Sequence, residues 1–305
     1  MNIVSEIERL KRAENAVVLA HYYTPDAVQD IADCLGDSLA LAQYAQKTDA
    51  DVIVFAGVYF MAETAKILNP NKKVYIPDFQ SYCSLADSCE YDDFLLFKSQ
   101  YPDYKVVSYI NCSADMKTLT DIVCTSSNAV KIVNSFPKDE KLIFAPDKNL
   151  GAYINAITGR NMVLWDGNCH VHNALKVENI MELKAKYKDA LLIAHPECQQ
   201  VVLQVADFIG STTQMLDFTK KSTQRQFIVA TETGILHQMK KQSPEKEFFI
   251  ASKDSFCNCN DCEYMKLNTL DKIYDCLAYR KNEVLLEEET MKKAKNSIVK
   301  MLEMS

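Results

Sequence analysis

The sequence predicts an α/β protein: three pseudo-threefold-related α/β domains, each an αβα sandwich with a short parallel sheet, with the active site at their central junction. Three observations predict it. First, an apolar run leading into a short polar site and then a helical pattern occurs three times: VVLAHYYTPDAVQDIADCLGDS from Val17, VVSYINCSADMKTLTDIVCTSS from Val106, and LLIAHPECQQVVLQVADFIGSTT from Leu191. Second, the spacing recurs, since 17 residues separate His21 from Ser38, Tyr109 from Ser126 and His195 from Thr212. Third, short apolar runs bounded by turn residues alternate with helical patterns, as parallel strands covered on both faces by crossover helices do.

Each unit opens on a helix: IVSEIERLKRA, YDDFLLFKSQY and VENIMELKAKY. The first apolar run follows. A second comes next, as DVIVFAG from Asp51, KLIFAP from Lys141 and QFIVAT from Gln226. The third is KKVYIPD from Lys72, NMVLWDG from Asn161 and EFFIAS from Glu247, with helical patterns such as FMAETAKIL, LGAYINAI and GILHQMKK in between. The expected units are 1–86, 87–172 and 173–305, the last ending in LEEETMKKAKNSIVKMLEM, read as an exposed amphipathic helix that serves packing. No linker or low-complexity segment intervenes, so close packing of all three units is expected.

The chain has 305 residues, a net charge of −7 and 48% apolar residues, which excludes a disordered tail or a small disulfide scaffold. The modest acidic balance gives no footprint for nucleic acid or an anionic membrane surface. The N-terminal MNIVSEIERLKRA lacks the apolar stretch of a signal peptide. The longest apolar run, Val52 to Ala62, is far short of the roughly 20 residues that span a bilayer. The expectation is a soluble, cytoplasmic protein with no membrane and no nucleic-acid partner.

Eleven cysteines in a reducing compartment are either buried thiols or metal-bound thiolates. Every unit ends its third strand in a cysteine-bearing loop: SYCSLADSC, GNCHVH and SFCNCNDCEYM. Ligand sites in open parallel sheets lie beyond the carboxyl ends of the strands, where His21, Tyr109, Asn111, His195 and Glu197 also fall. Three domains could therefore point one thiolate each at a common centre. Only Cys259–Cys262 has the close spacing of a structural zinc pair. One distant thiolate per domain suits instead a [4Fe–4S] cube, threefold about its diagonal, with its fourth iron left open for Lewis-acid dehydration.

AHYYTPDAVQDIAD with GDSLALA, the CSLAD loop, YINCSADMK with TSSNAV, HPEC, GSTTQM and CEYMKLNTL together resemble the quinolinate synthase family, in its order and over nearly the whole chain. The resemblance implies one [4Fe–4S] cluster per chain and condensation of iminosuccinate with dihydroxyacetone phosphate to quinolinate for NAD synthesis, phosphate and two waters leaving. It also implies functional coupling to L-aspartate oxidase, the supplier of unstable iminosuccinate. Another [4Fe–4S] hydro-lyase is the alternative. Carried over residue by residue, the cluster ligands are Cys83, Cys169 and Cys262, with Cys257 or Cys259 alternative to the last because this chain reads CxCxxC. His170 and His172 flank Cys169 and would shape the cluster's surroundings.

The resemblance makes Glu197 an acid/base, with Tyr23, His195 and Tyr109 also catalytic. It makes His21, Asn111, His195, Tyr109 and Glu197 substrate-binding. The sequence has neither a P-loop nor GxGxxG, and it has seven glycines. Ser38, Ser126 and Thr212, each just before a helical stretch, are the phosphate or carboxylate anchors; plain N-capping is the alternative for them. The alternative for Glu197 is a carboxylate that merely serves a helix N-terminus. His237 is read as structural.

Overall fold

The computed structural model describes residues 2–251 and 260–305. Among them one order of nine elements recurs three times. The first series is α1 (Ile3–Ala13), β1 (Ala16–His21), α2 (Asp26–Asp30), β2 (Cys34–Gly36), α3 (Ser38–Lys47), β3 (Val52–Ala56), α4 (Tyr59–Leu68), β4 (Lys73–Tyr75) and α5 (Ser84–Asp87). The second is α6 (Tyr91–Ser99), β5 (Lys105–Tyr109), α7 (Ala114–Thr118), β6 (Ile122–Cys124), α8 (Ala129–Ser135), β7 (Leu142–Ala145), α9 (Lys148–Thr158), β8 (Val163–Leu164) and α10 (His170–Asn173). The third is α11 (Val177–Lys186), β9 (Leu191–Ala194), α12 (Gln200–Leu203), β10 (Phe208–Ile209), α13 (Thr212–Lys221), β11 (Gln226–Ala230), α14 (Ile235–Gln242), β12 (Glu247–Ile250) and α15 (Glu263–Lys266). Two helices follow, α16 (Leu270–Tyr279) and α17 (Glu288–Glu303).

Each series folds into one four-stranded parallel sheet, ordered β2-β1-β3-β4, β6-β5-β7-β8 and β10-β9-β11-β12. The inner strands are the apolar runs of the sequence. Val54, Ile143 and Ile228, at equivalent places in β3, β7 and β11, have no exposed surface, as strands covered on both faces require. Removing any of these side chains down to alanine forfeits both its transfer free energy and its packing.

The expected α/β class is what the chain adopts, but each sheet has one strand more than the periodicity indicated. The extra strands, β2, β6 and β10, are two or three residues long and lie inside stretches read as helical. Runs that short carry no period. An aspartate sets each of them. Asp33, Asp121 and Asp207 each accept, through Oδ2, the N–H of Val18, Val106 and Leu192 at 2.7, 2.8 and 2.7 Å. Each also donates its own N–H back to the carbonyl of the same residue. The edge strand is thereby registered on the inner strand before its first ladder bond.

The C-terminal helix is amphipathic and serves packing, as the sequence indicated, and its charged face, with the Lys293–Glu289 pair, stays in water. α17 buries Ala294, Ile298 and Met301 completely, against α4, α7 and β6. It follows the third series in the chain but packs on the first two, while α16 packs on α1. Among the described residues no helix is long and apolar enough to cross a membrane.

Candidate active site

All the residues read from the sequence as catalytic, binding or ligating line one cavity, ≈ 640 Å³ with its open mouth included. That is room for small ligands. It draws on all three sheets because each first strand delivers its polar residue at the same edge. His21 ends β1, Tyr109 ends β5, and His195 directly follows β9.

The two histidines are held alike. His21 Nδ1 accepts the Tyr23 N–H at 3.2 Å, and His195 Nδ1 accepts the Glu197 N–H at 3.4 Å. In a neutral ring the proton then sits on Nε2. Burial keeps both neutral, lowering His21 to about 4 and His195 to about 3. Both are therefore N–H donors at neutral pH. The His195 Nε2 lies 3.3 Å from Ser126 Oγ.

A hydrogen-bonded chain crosses the cavity wall. The Tyr109 hydroxyl donates to Glu197 Oε1 at 2.5 Å, and His172 Nδ1 lies 2.9 Å from Glu197 Oε2. His172 Nε2 reaches Thr231 Oγ1 at 2.9 Å. The Tyr23 hydroxyl lies 2.8 Å from Thr231 Oγ1 and 2.9 Å from Thr212 Oγ1. Burial pushes the Glu197 carboxyl up, but the His172 and His195 imidazoles and the hydrogen bonds from His172 and Tyr109 outweigh it and hold it at about 2. His172 and Tyr109 touch the carboxylate directly. Burial raises both Tyr109 and Tyr23 well above the ordinary phenol range. The wall thus holds an ionised carboxylate among protonated phenols. Glu197 does not serve a helix end: α12 starts at Gln200 with Gln199 as its cap.

The three hydroxyl residues Ser38, Ser126 and Thr212 are not caps either. Asp37 caps α3 and Ser211 caps α13, so Ser38 and Thr212 sit one residue inside and present their hydroxyls to the cavity. Ser126 lies two residues before Asn128, which precedes α8, and also lines the cavity. Behind them Asp37, Ser127 and Ser211 form a ring with one residue from each series. Ser127 Oγ lies 3.0 Å from Asp37 Oδ2 and 2.7 Å from Ser211 Oγ, which is 3.3 Å from the same Asp37 oxygen. Asn111 Oδ1 is buried with no partner, an acceptor facing the cavity. Among the described lining residues there is no lysine or arginine, so anions must be met by neutral donors.

Cys83, Cys169 and Cys262 reach the cavity from equivalent places, each directly preceding a single helical turn. Ser84 Oγ lies 2.6 Å from His170 Nδ1, which ties the first two of these turns together. Burial pushes Cys83 up to about 12, Cys262 up to about 11 and Cys169 well above the ordinary thiol range. Such thiols stay protonated unless a metal ion displaces the protons, and three soft donors suit zinc or an iron–sulfur cluster. Cys257 and Cys259 lie outside the described residues. Cys169, His172 and Glu197 bring one ligand-type atom each within 4.8 Å, a candidate metal-binding group. Hydrogen bonding accounts for that closeness: His172 Nδ1 serves Glu197 and lies 3.3 Å from Cys169 Sγ, and its other nitrogen serves Thr231.

Residues 5–303 match the family model described as Quinolinate synthetase A protein. The chain belongs to the quinolinate synthase family. Curated relatives named Quinolinate synthase include those of Synechocystis sp., 56% identical over 304 residues, and Thermosynechococcus vestitus, 56% identical over 306 residues; both alignments cover 100% of this chain and 96% of the relative. A third, from Chloroherpeton thalassium, is 55% identical over 100% of this chain and 95% of its own length. Like these quinolinate synthases, the protein is an enzyme. The match spans every residue of the cavity.

Sequence reasoning missed Asp37, Thr231 and Glu232, and placed His172 only as a neighbour of Cys169. Asp37 and Ser211 could have been found from the repeat, since both fall 16 residues after the strand-end histidine of their unit. Thr231 had no such signal, because its role depends on the Tyr23 hydroxyl and the His172 ring arriving from other units.

Proposed function

We propose that this protein catalyses the quinolinate synthase reaction, condensing iminosuccinate with dihydroxyacetone phosphate to give quinolinate, phosphate and two waters. Cys83, Cys169 and Cys262 would hold one [4Fe–4S] cluster. The observation that carries the reading is that one thiol from each series opens onto the cavity walled by Glu197, Tyr109 and the two neutral histidines. The donor set fits: three buried thiols that burial keeps protonated match a site where iron takes the place of the protons. When bound, the cluster supplies Lewis acidity at the iron left without a protein ligand.

The chain's own groups do the rest. The Nε2–H groups of His21 and His195 donate to substrate carboxylate or carbonyl oxygens. Asn111 Oδ1 offers its unused acceptor to an N–H such as that of the imine. The hydroxyls of Ser38, Ser126 and Thr212 take the phosphate, or a carboxylate in its place. Glu197 is ionised and positioned to accept a proton, and the Tyr109 hydroxyl that bonds it can return one. Tyr23, tied to Thr212 and Thr231, extends the same hydroxyl chain to the anchor region.

We read the compartment as cytoplasmic, which suits the nine described cysteines, all free thiols. An L-aspartate oxidase would supply the iminosuccinate.

The test is an anaerobic assay of the iron-loaded protein with both substrates, following quinolinate, alongside iron and sulfide analysis. About four of each per chain are expected from the cluster formula. A fully loaded protein that forms no quinolinate overturns the reaction. A colourless zinc protein overturns the cofactor.

A further inference from the structure

Two residues beyond the inner strands β3, β7 and β11, the three series carry Val58, Asp147 and Glu232. Asp147 is 0% exposed and Glu232 1%. A carboxylate so buried destabilises the fold unless its oxygens are engaged. Here each engages the backbone of a cysteine at the cavity.

Asp147 Oδ2 accepts the Cys169 N–H at 3.2 Å, while Oδ1 accepts the Leu150 N–H at 2.7 Å and caps α9. Glu232 Oε1 accepts the Cys262 N–H at 3.1 Å and pairs with Lys266 Nζ at 2.7 Å. Its Oε2 accepts the Gly234 N–H at 2.7 Å. A Cβ on Gly234 would stand 2.9 Å from that oxygen and 2.8 Å from the Tyr22 carbonyl, so the close approach needs glycine. The first series has nothing equivalent. Val58 is apolar there, and the segment before Cys83 is tied instead by the Tyr59 N–H to the Ser81 carbonyl at 2.7 Å.

We propose that Asp147 and Glu232 are positioning residues that hold Cys169 and Cys262 in ligating geometry, and that Cys83 is the ligand without a carboxylate clamp. The inference rests on the three-cysteine cluster proposed above. Each clamp acts through the cysteine's amide, and each uses both of its oxygens as acceptors. A carboxamide offers one acceptor and one donor, so Asp147→Asn or Glu232→Gln must drop one contact or turn an N–H against an NH₂.

Wild type, Asp147→Asn and Glu232→Gln are loaded with iron and sulfide anaerobically, and an iron chelator is then added. Loss of groups that orient metal ligands commonly weakens metal holding about 10–100-fold. Iron release should speed up by about that factor, with an altered electron paramagnetic resonance spectrum after reduction. Both substitutions disturb a buried carboxylate, so iron release is compared well below the melting temperature of each iron-free protein. Should Asp147→Asn fail to fold for want of the α9 cap, Glu232→Gln carries the test, since Gly234 is the residue that caps α14. Release at the wild-type rate with an unchanged spectrum overturns the positioning role and leaves the cluster reading standing. A wild-type chain that takes up no iron overturns the cluster reading and the positioning role with it.

Discussion

The Tyr109 hydroxyl donates to Glu197 Oε1 at 2.5 Å, joining the end of β5 to the turn that follows β9. Two sheets from different series meet through this bond, and both side chains are almost wholly buried. A hydrogen bond to an ionised group contributes about 1.5–3 kcal/mol. Tyr109→Phe should therefore lower kcat/KM by about 10–150-fold. Steady-state kinetics check this, and an unchanged kcat/KM would reduce the pair to packing.

Glu197→Gln probes the other partner. A carboxamide keeps an acceptor for Tyr109 but takes up no proton, so turnover should fall about 10²–10⁴-fold while iron content stays at the wild-type level. Near-normal rates would remove Glu197 from proton transfer.

Glu63 gives a pH signature away from the chemistry. Burial raises its carboxyl from 4.5 to about 7, the nearby Lys117 and the Ala114 N–H at 2.9 Å offsetting only part. The folded state then binds a proton that the unfolded chain has released, so stability falls as pH rises from roughly 4.5 through 7. The loss is on the order of 3 kcal/mol. Glu63→Gln still accepts the Ala114 N–H and should abolish this part of the pH dependence. Denaturant melts of both proteins across the range decide it; parallel profiles would contradict the assignment.

The ring of Asp37, Ser127 and Ser211 bonds the three series to one another. Ser127→Ala and Ser211→Ala should each destabilise by about 1–3 kcal/mol, because a buried acceptor loses its donor. Since the two share Asp37, the double variant should lose less than their sum. Urea unfolding measures all three, and strict additivity would argue against a shared ring.

Apolar packing, more than charge, should secure the C-terminal helix. Met301 has no exposed surface in α17, and Met301→Ala should destabilise by about 2–5 kcal/mol. His237 lies 3.3 Å from Asp26 and 3.0 Å from Asp30, but both aspartates are well exposed. His237→Ala should shift stability by less than about 1 kcal/mol. Thermal melts of the two variants compare these effects directly.

Much of the architecture could be read from periodicity and spacing, because inner strands covered on both faces must be apolar and because the strand-end residues recur at one offset. The edge strands β2, β6 and β10 could not, since two or three residues carry no period. Asp33, Asp121 and Asp207 were nevertheless a visible sign of them, 12 residues after His21, Tyr109 and His195. α17 was legible as an amphipathic packing helix, but its pattern shows that one face is apolar without showing what lies against it. Its partners, α4, α7 and β6, lie more than a hundred residues back in the chain.

By itself, the sequence determined that one α/β unit is used three times and which polar, hydroxyl and thiol residues each copy brings to its strand ends, because strand and helix periods are local properties of the chain. Only the tertiary structure decided which of them touch. That His172 bonds Glu197, that Asp37 closes a ring with Ser127 and Ser211, and that Asp147 and Glu232 grip Cys169 and Cys262 all depend on how three sheets face one cavity. Orientation between sheets is set by side-chain packing among residues far apart in sequence, and no repeat within a single unit encodes it.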